Sequence, residues 1–549
     1  MANYFNTINI GLRGLQAQKK SLDVTSHNIA NANTEGYSRQ RAVHSTTDPY
    51  TAPGFGMPEG AGQVGTGVEI EEINRIKDQF VEGQIWEKKQ SQSYWNRRSD
   101  GLSRIENIFN EPSDSNLSAA FDKFWQSLED LSNNPEDSAV RATVKERANT
   151  LVDSFHSIDE QLTAYKKSLN GDVKTTVDEI NSLGKRISDL NEQIAHIKGT
   201  GKNPNDLMDT RDRLIEELNQ KVNVRTRKND RGYINVSIGG MSFVSGDAVN
   251  ELKTETVSGS PNEDIIKFAE LDKKANINSG ELAALIDLRG ADGEGIIPDQ
   301  KEKLDNIANT FANRFNEIHN SGYDLNKDAG EDFFLSDDGS NINADSIILN
   351  GTIDNDISKI AAGSLSDNRD VVTVEDNGTY NGDEYSVTID KNNSTYTLKN
   401  LTTDTTIATN ANYTGDSFTA EGLTFNVEDS GTAFVNNNIG SGDNALNLAD
   451  TIKSDELDFN NDGNIEGTVM GKYESVISSL GVQGQRAKQM VENQDTLVNQ
   501  LENKRQSISG VSIDEEMANM IKYQQAYSAS AKVISNANRM MDSLMAILR

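Results

Sequence analysis

The chain contains no cysteine, so disulfide frameworks, thiolate metal sites and cysteine nucleophiles are excluded from the start. Proline is scarce, with eight in 549 residues, and aromatic residues make up only 6%, which leaves long helices uninterrupted and thick cores short of filling. Histidine is scarcer still: His27, His44, His156, His196 and His319 are scattered, and none forms the His-Glu-x-x-His pattern of a zinc helix. No run of about 18 apolar residues occurs, and the start, Met1 to Gly14, lacks the basic-then-apolar form of a cleaved signal peptide. Neither a membrane span nor a Sec-type exit is expected. Positive charge is also short: 53 Lys and Arg against 85 Asp and Glu leave a formal net charge of −32, which would repel nucleic-acid phosphates and anionic lipid. Nucleic acid and membranes are therefore not expected partners.

Catalytic signatures are missing as well. There is no Gly-x-Ser-x-Gly elbow, and Gly199-Thr200-Gly201-Lys202-Asn203 lacks the spacing and the hydroxyl residue of a phosphate loop. Carboxylate pairs abound in so acidic a chain, so their proximity in sequence is no evidence of general acid–base work. No catalytic residue and no cofactor is assigned.

What is present is periodicity. The length suggests about three or four domains, and the lean apolar content, 35%, favours thin or rod-like ones. Ile8, Leu15, Leu22 and Ile29 recur at steps of seven with Leu12 beside them, a narrow helical seam that breaks in the turn-forming run from Asn31 to Tyr37. The far end mirrors it. Ile513, Met520, Tyr527, Ile534, Met541 and Leu548 also fall at steps of seven, with Met517, Ala531 and Met545 on the adjacent row. Ser512-Ile513-Asp514-Glu515 reads as a capping box that starts this last helix.

Between the ends, residues 45–67 read as an extended loop and residues 76–222 as helical. Ile180, Leu183, Ile187, Leu190, Ile194 and Ile197 alternate by three and four like a coiled-coil seam facing one partner. From Val222 to Leu271 the period changes to two, as in Ile234, Val236 and Ile238, which predicts short strands. Leu304, Ile307, Phe311, Phe315 and Ile318 centre another helix, residues 323–470 read as a mostly β insertion, and helical spacing returns from Val469 to Ile508.

The expected fold is therefore α+β, multidomain and elongated. Paired terminal coiled-coil helices (1–60 and 510–549) accompany a long-helix bundle with a small β region (61–330 and 470–509) and a variable, mostly β outer insertion (331–469). A lone amphipathic helix has nothing to bury its stripe against, so the ends should be loosely ordered in a free monomer and fold as they pack on each other and on neighbouring subunits. The plain alternative is an intramolecular two-helix coiled coil.

One metal candidate stands out. Asp458, Asn460, Asp462 and Glu466 occupy positions one, three, five and nine of a calcium-loop-like run with Gly463 at six, but Val469 stands where a bidentate Glu belongs. Asp324, Asn326 and Asp328 make a weaker version, with Gly330 one position late.

Two blocks carry a family resemblance. Arg13 to Gln18 followed by Leu22 to Gln40, including Asn28, Asn31 and the ending Gly36-Tyr37-Ser38-Arg39-Gln40, resembles the N-terminal signature of bacterial flagellar rod, hook and hook-associated axial proteins, closest to its hook-associated branch. The stretch from Asp514 to Ile534 resembles the matching C-terminal end, and internal blocks such as Asp206 to Asp212 agree. The resemblance covers some two thirds of the chain and is weakest at 365–440.

It implies a structural component at the junction of hook and filament, built as a homo-oligomeric ring from a chain that is monomeric in solution. Implied partners are the hook protein, a second hook-associated protein and a cytoplasmic export chaperone at the C-terminal helix. Export without a cleaved signal peptide and an extracellular, flagellar location are implied too. Alternatives are another axial subunit of hook or filament, a secreted acidic adhesin or calcium-binding protein argued from the insert and the Asp458 loop, or a wall hydrolase carried on the insert. Salt would screen the self-repulsion of so acidic a chain, so assembly should become easier as ionic strength rises.

Overall fold

The computed structural model describes residues 2–48, 65–110, 116–229, 231–257, 260–291, 293–364, 371–377, 379–380, 383–435, 441–455, 457–459 and 465–547. Its helices are α1 (Ala2–Ala30), α2 (Gln79–Asn110), α3 (Leu117–Asn133), α4 (Ser138–Gly199), α5 (Asn205–Lys221), α6 (Glu281–Arg289), α7 (Ile296–Asn320), α8 (Gly351–Asn355), α9 (Asp443–Lys453), α10 (Val469–Ser509) and α11 (Ile513–Ile547). Strands β1 (Gln40–Thr46) and β2 (Val68–Arg75) follow α1. Between α5 and α6 run β3 (Val224–Lys228), β4 (Ile234–Ile238), β5 (Met241–Ser245), β6 (Ala248–Val249), β7 (Leu252–Val257), β8 (Ser260–Phe268) and β9 (Lys273–Lys274). After α7 come β10 (Phe334–Ser336) and β11 (Ile347–Leu349), then β12 (Val372–Asp376), β13 (Tyr385–Asp390), β14 (Thr395–Asn400), β15 (Thr405–Asn412), β16 (Ser417–Ala420), β17 (Leu423–Val427) and β18 (Gly431–Val435). The α+β class, the long terminal helices and the mostly β insertion are as the periodicity predicts.

The chain forms two compact units, one of Met1–Ser99, Asn170–Asp287 and Arg486–Arg549, the other of Asp100–Leu169 and Leu288–Gln485. In the first, β1 and β2 pair antiparallel. The sequence reading named no strand here: of the segment 45–67 read as a loop, Ser45 and Thr46 close β1, and β2 starts at Val68, just beyond it.

The α4 seam meets strands. A Cβ on Gly184 would come within 2.6 Å of the Phe243 ring and 3.3 Å of Val249, so the bare glycine lets the helix lie close on β5 and β6. Buried asparagines complete the contact. Asn181 accepts from the Leu252 amide and donates to the Leu252 carbonyl, both at 2.8 Å. Asn191 does the same with Ile234, at 3.0 and 2.9 Å. Each satisfies a strand-edge peptide that the helix would otherwise bury unpaired. A three-four spacing of aliphatics reads alike whether the partner is a helix or a sheet, which is why the sequence pointed to a coiled coil.

In the second unit the few aromatics are concentrated. Phe121 and Phe124 of α3 pack with Phe311 and Phe315 of α7 and with Phe333 and Phe334, ring centroids lying 4.9–6.4 Å apart. Helix α9 interrupts the segment read as mostly β. It buries Ala445, Leu448, Ala449 and Ile452, an i, i+3, i+4, i+7 stripe hidden in an Asn- and Asp-rich stretch. Beyond α8, the sheets β15-β14-β13-β18 and β12-β17-β16 enclose one core that includes Tyr385, Val387, Leu398, Leu423, Phe425 and Val435.

His319 is fully buried at the end of α7. It meets the Glu331 carbonyl through Nδ1 at 2.5 Å, and its Nε2 accepts from the Ala361 amide at 2.9 Å, which fixes the neutral tautomer. Burial pushes its pKa down to about 4. A histidine whose folded pKa is depressed contributes stability above its unfolded value near 6.5, and that contribution is lost as pH falls toward 4. Acid titration of the melting temperature should therefore show on the order of 3 kcal/mol lost across this window. His319→Gln should flatten that part of the profile.

Candidate assembly interface

Helices α1 and α11 lie antiparallel in the one chain. Asn28 meets Glu516, Gly14 meets Ser530 and Gly11 meets Ile534. The inward face of α1 is made of small and polar residues: Gly11, Gly14, Ala17, Ser21, Val24, Thr25 and Asn28 are buried. Ile8, Leu15, Leu22 and Ile29 are half-buried beside that face, and Leu12 is exposed. On α11, Glu516 and Ala537 are buried, while Met520, Tyr527, Ala531, Ile534 and Met541 are half-buried. Ile513, Met517 (53% exposed) and Met545 are open, as are Ile521 (55%), Val533 and Met540. Leu548 lies outside the described residues.

Small residues bring the helix axes together, and this moves the large aliphatics to the shoulders of the pair. The closest approach is at Gly11, where a Cβ would stand 2.7 Å from Cγ1 of Ile534. Gly11→Val should overpack this contact and cost about 1–3 kcal/mol. Thermal melts should show the loss, and a second substitution, Ile534→Ala, should restore part of it.

The resemblance motif turns out to be a polar tie. Helix α1 ends in the turn where Asn31 caps back onto the His27 carbonyl through its side chain (3.0 Å) and Gly36 takes a positive φ of 79°. The buried Asn28 amide then serves three elements. It donates to the Gln40 carbonyl and to Oε2 of Glu516, both at 2.9 Å; its oxygen accepts from the Gln40 amide at 2.9 Å and from the Tyr37 hydroxyl at 2.7 Å. Ser38 binds Asp209 of α5 through its amide (3.1 Å) and hydroxyl (2.8 Å). Arg39 pairs with Glu515 at 2.7 Å, and its amide donates to the Ser509 carbonyl at 2.9 Å. Gln40 donates to Asp206 at 2.9 Å. Three consecutive residues, Ser38 to Gln40, together with Asn28 thus fasten the end of α1 to the starts of α5 and α11. The Ser512 hydroxyl accepts from the Glu515 amide at 3.4 Å, but the Glu515 carboxylate goes to Arg39 rather than back to the cap.

A charged network backs this tie. Arg75 contacts Asp209 at 2.7 Å and Asp212 at 2.9 Å, and Lys77 contacts Asp212 at 2.9 Å. Burial works against the Asp212 carboxylate, but Lys77 and Arg75 more than offset it and hold its pKa below the usual range. Burial, then Asp206, Asp209 and Glu516, push the Tyr37 phenol up, so it stays a donor. His44 of β1 lies between the helices, with Nε2 3.0 Å from the Ser21 hydroxyl and its ring stacked on Tyr523. Burial and then Lys522 lower its pKa.

No metal site assembles among the described residues. Asn460 and Asp462 lie outside them; of the same run, Glu466 pairs with Lys472 at 2.9 Å. At the weaker candidate, Asp324 accepts from the amides of Asn326 and Asp328, and the Lys359 ammonium stands 3.0 Å from Asp324 and 2.8 Å from Asp328, where a cation would have to sit.

Three family models match the chain. One, described as "Flagellar hook-associated protein FlgK helical domain", covers residues 102–334. "Flagella basal body rod protein" covers 8–37 and "Flagellar basal body rod FlgEFG protein C-terminal" covers 502–547, the two halves of the paired helices and their tie. The class these define is that of structural proteins of the flagellar rod, hook and hook-associated type. Within it, the chain resembles flagellar hook-associated protein 1 along nearly its whole length. Identity to that protein of Bacillus subtilis is 29% over 570 residues, 99% of this chain and 98% of that one. Identity to that of Escherichia coli is 29% over 563 residues, 98% and 99%. The solved flagellar hook junction protein FlgK from Burkholderia pseudomallei shares the fold, with a TM-score of 0.62 over 78% of this chain and 100% of that one at 18% identity.

Proposed function

We propose that this chain is a structural subunit of the junction between flagellar hook and filament, and that its terminal helices drive polymerisation. The observation that carries the reading is the pair of apolar shoulders on α1 and α11: Leu12, Ile513, Met517, Ile521 and Met540 are exposed beside a seam already closed within the chain. Isolated exposed aliphatics need no explanation, but rows at helical spacing along one rod suit packing against the same rods of neighbouring copies.

On this reading the ends need not be fully ordered before export. They gain their remaining burial in the assembled ring, so folding and polymerisation are coupled. The hook protein and a second hook-associated protein flank the ring, a cytoplasmic chaperone shields α11 before export, and export needs no cleaved signal peptide. The role is mechanical rather than catalytic. Immunogold microscopy of intact flagella with an antibody to the insert should give a narrow band between hook and filament. Label running along the filament would instead mark a bulk axial subunit, and label elsewhere on the cell would favour an adhesin.

A further inference from the structure

Against the net charge of −32, one cavity of the first unit gathers positive charge. Its volume is about 600 Å³, and Arg75, Lys77, Lys198, Arg211 and Lys228 line it together with Glu72, Glu82 and Asp212. The carboxylates are taken: Asp212 by Arg75 and Lys77, Glu82 by Lys77 at 3.6 Å, and Glu72 by the Asn74 and Asn203 amides. Among the described residues, Lys198, Lys228 and Arg211 have no carboxylate within ion-pair distance.

Arg211 is the telling group. Its side chain is 99% buried by its 1% exposure, with Nη1 spent on the Asn191 side chain (2.9 Å) and the Gly232 carbonyl (2.8 Å), yet its Nε has no partner. The indole N–H of Trp86, on the same cavity, is likewise buried and unpaired. A buried guanidinium whose neighbouring carboxylate, Asp212, is already bound by Arg75 and Lys77, and two buried donors without acceptors, are costly to leave so. Burial, with Arg75 adding repulsion, lowers the Arg211 pKa to about 10 despite Asp212. Burial and then Lys228, Arg211 and Arg75 lower that of Lys198. Gly232, at φ 89°, leaves room for the Lys198 stem, since a Cβ there would stand 2.7 Å from its Cδ. Lys198 is thus packed, half-buried, on the cavity wall, and Lys228 lines the same cavity from the exposed strand β3.

We propose that this cavity is an anion-binding site, taking a carboxylate- or phosphate-bearing group between Lys198, Lys228 and Arg211. The anion comes either from solution, as a small organic or inorganic oxyanion, or from an acidic side chain of a neighbouring copy; the 85 Asp and Glu of the chain supply candidates for the latter.

The test uses the full chain and the double substitution Lys198→Met with Lys228→Met, which spares the buried Arg211. Calorimetric titration with citrate and with phosphate, at ionic strength matched by sodium chloride, should show saturable binding to the wild type, weakened at least ~10-fold in the variant. A neighbouring copy as the source gives a different pattern. Neither free anion then binds, but the variant needs a higher concentration to assemble, and the difference disappears in high salt. Anion binding that the double substitution leaves unchanged would overturn the site. So would the absence of anion binding together with unaltered assembly. Because calorimetry needs no assembly, failure of the wild type to polymerise would count against the junction reading and leave the anion measurement intact.

Discussion

Asn28→Leu should undock the C-terminal helix. The substitution removes the amide shared by the Gln40 peptide and the Glu516 carboxylate, and Glu516 is only 3% exposed. Glu516 keeps Arg39, whose Nε stands 3.9 Å from Oε1, but Oε2 and the Gln40 peptide lose their buried partner, at a cost of about 1–3 kcal/mol. A leucine side chain of similar size recovers little of this, because the Gln40 amide and the carboxylate remain polar. Hydrogen exchange should show α11 amides losing protection along the whole helix while the Phe-rich core of the second unit keeps its own. Asn28→Asp should behave differently with pH. It sets a second carboxylate against Glu516, so one of the two must bind its proton at a raised pKa; the penalty is present above that pKa and relieved as pH falls through it.

Met517→Lys with Ile521→Lys should leave the chain folded and stop it assembling. Both side chains are more than half exposed, so the monomer should melt within about 0.5 kcal/mol of the wild type. Each apolar anchor lost from a packed interface costs about 2 kcal/mol or more, and a lysine adds the burial of a charge. The concentration needed for polymerisation should rise about 100- to 1000-fold. Sedimentation of the purified chain measures it. Equal assembly by wild type and variant would place the subunit contacts elsewhere.

These two residues show how far the sequence could be read. Steps of seven at both ends identified the helices and their pairing, and the change of period after Val222 marked the strands. Heptads do not say which side faces the partner. Gly11, Gly14 and Ala17 carry no hydrophobic signal, yet they form the close seam, and Met517 with its neighbours is left outside it. The motif around Tyr37 was recognisable as a family signature, but its chemistry was not: Asn28 and Glu516 stand 488 residues apart, and Ser38 and Asp209 171 apart. Local pattern carries no record of such contacts. Helix α9 was hidden for a different reason, since Asn and Asp dilute its four-residue apolar stripe below notice. The cavity at Arg211 left no trace in the sequence, because its cations come from β2 and the turn after it, α4, α5 and β3, and only folding brings them together.

The absence of cysteine makes the central claim directly measurable. A chain bearing the single substitution Met517→Cys, exported into flagella and treated with a short bismaleimide, should give covalent dimers and higher species, while the same chain dilute in solution stays monomeric. A control at Thr388, on the exposed surface of the insert, should not cross-link in either state. Dimers from the Thr388 control, with none from Met517→Cys in intact flagella, would contradict the account and move the subunit interface from the terminal helices to the insert.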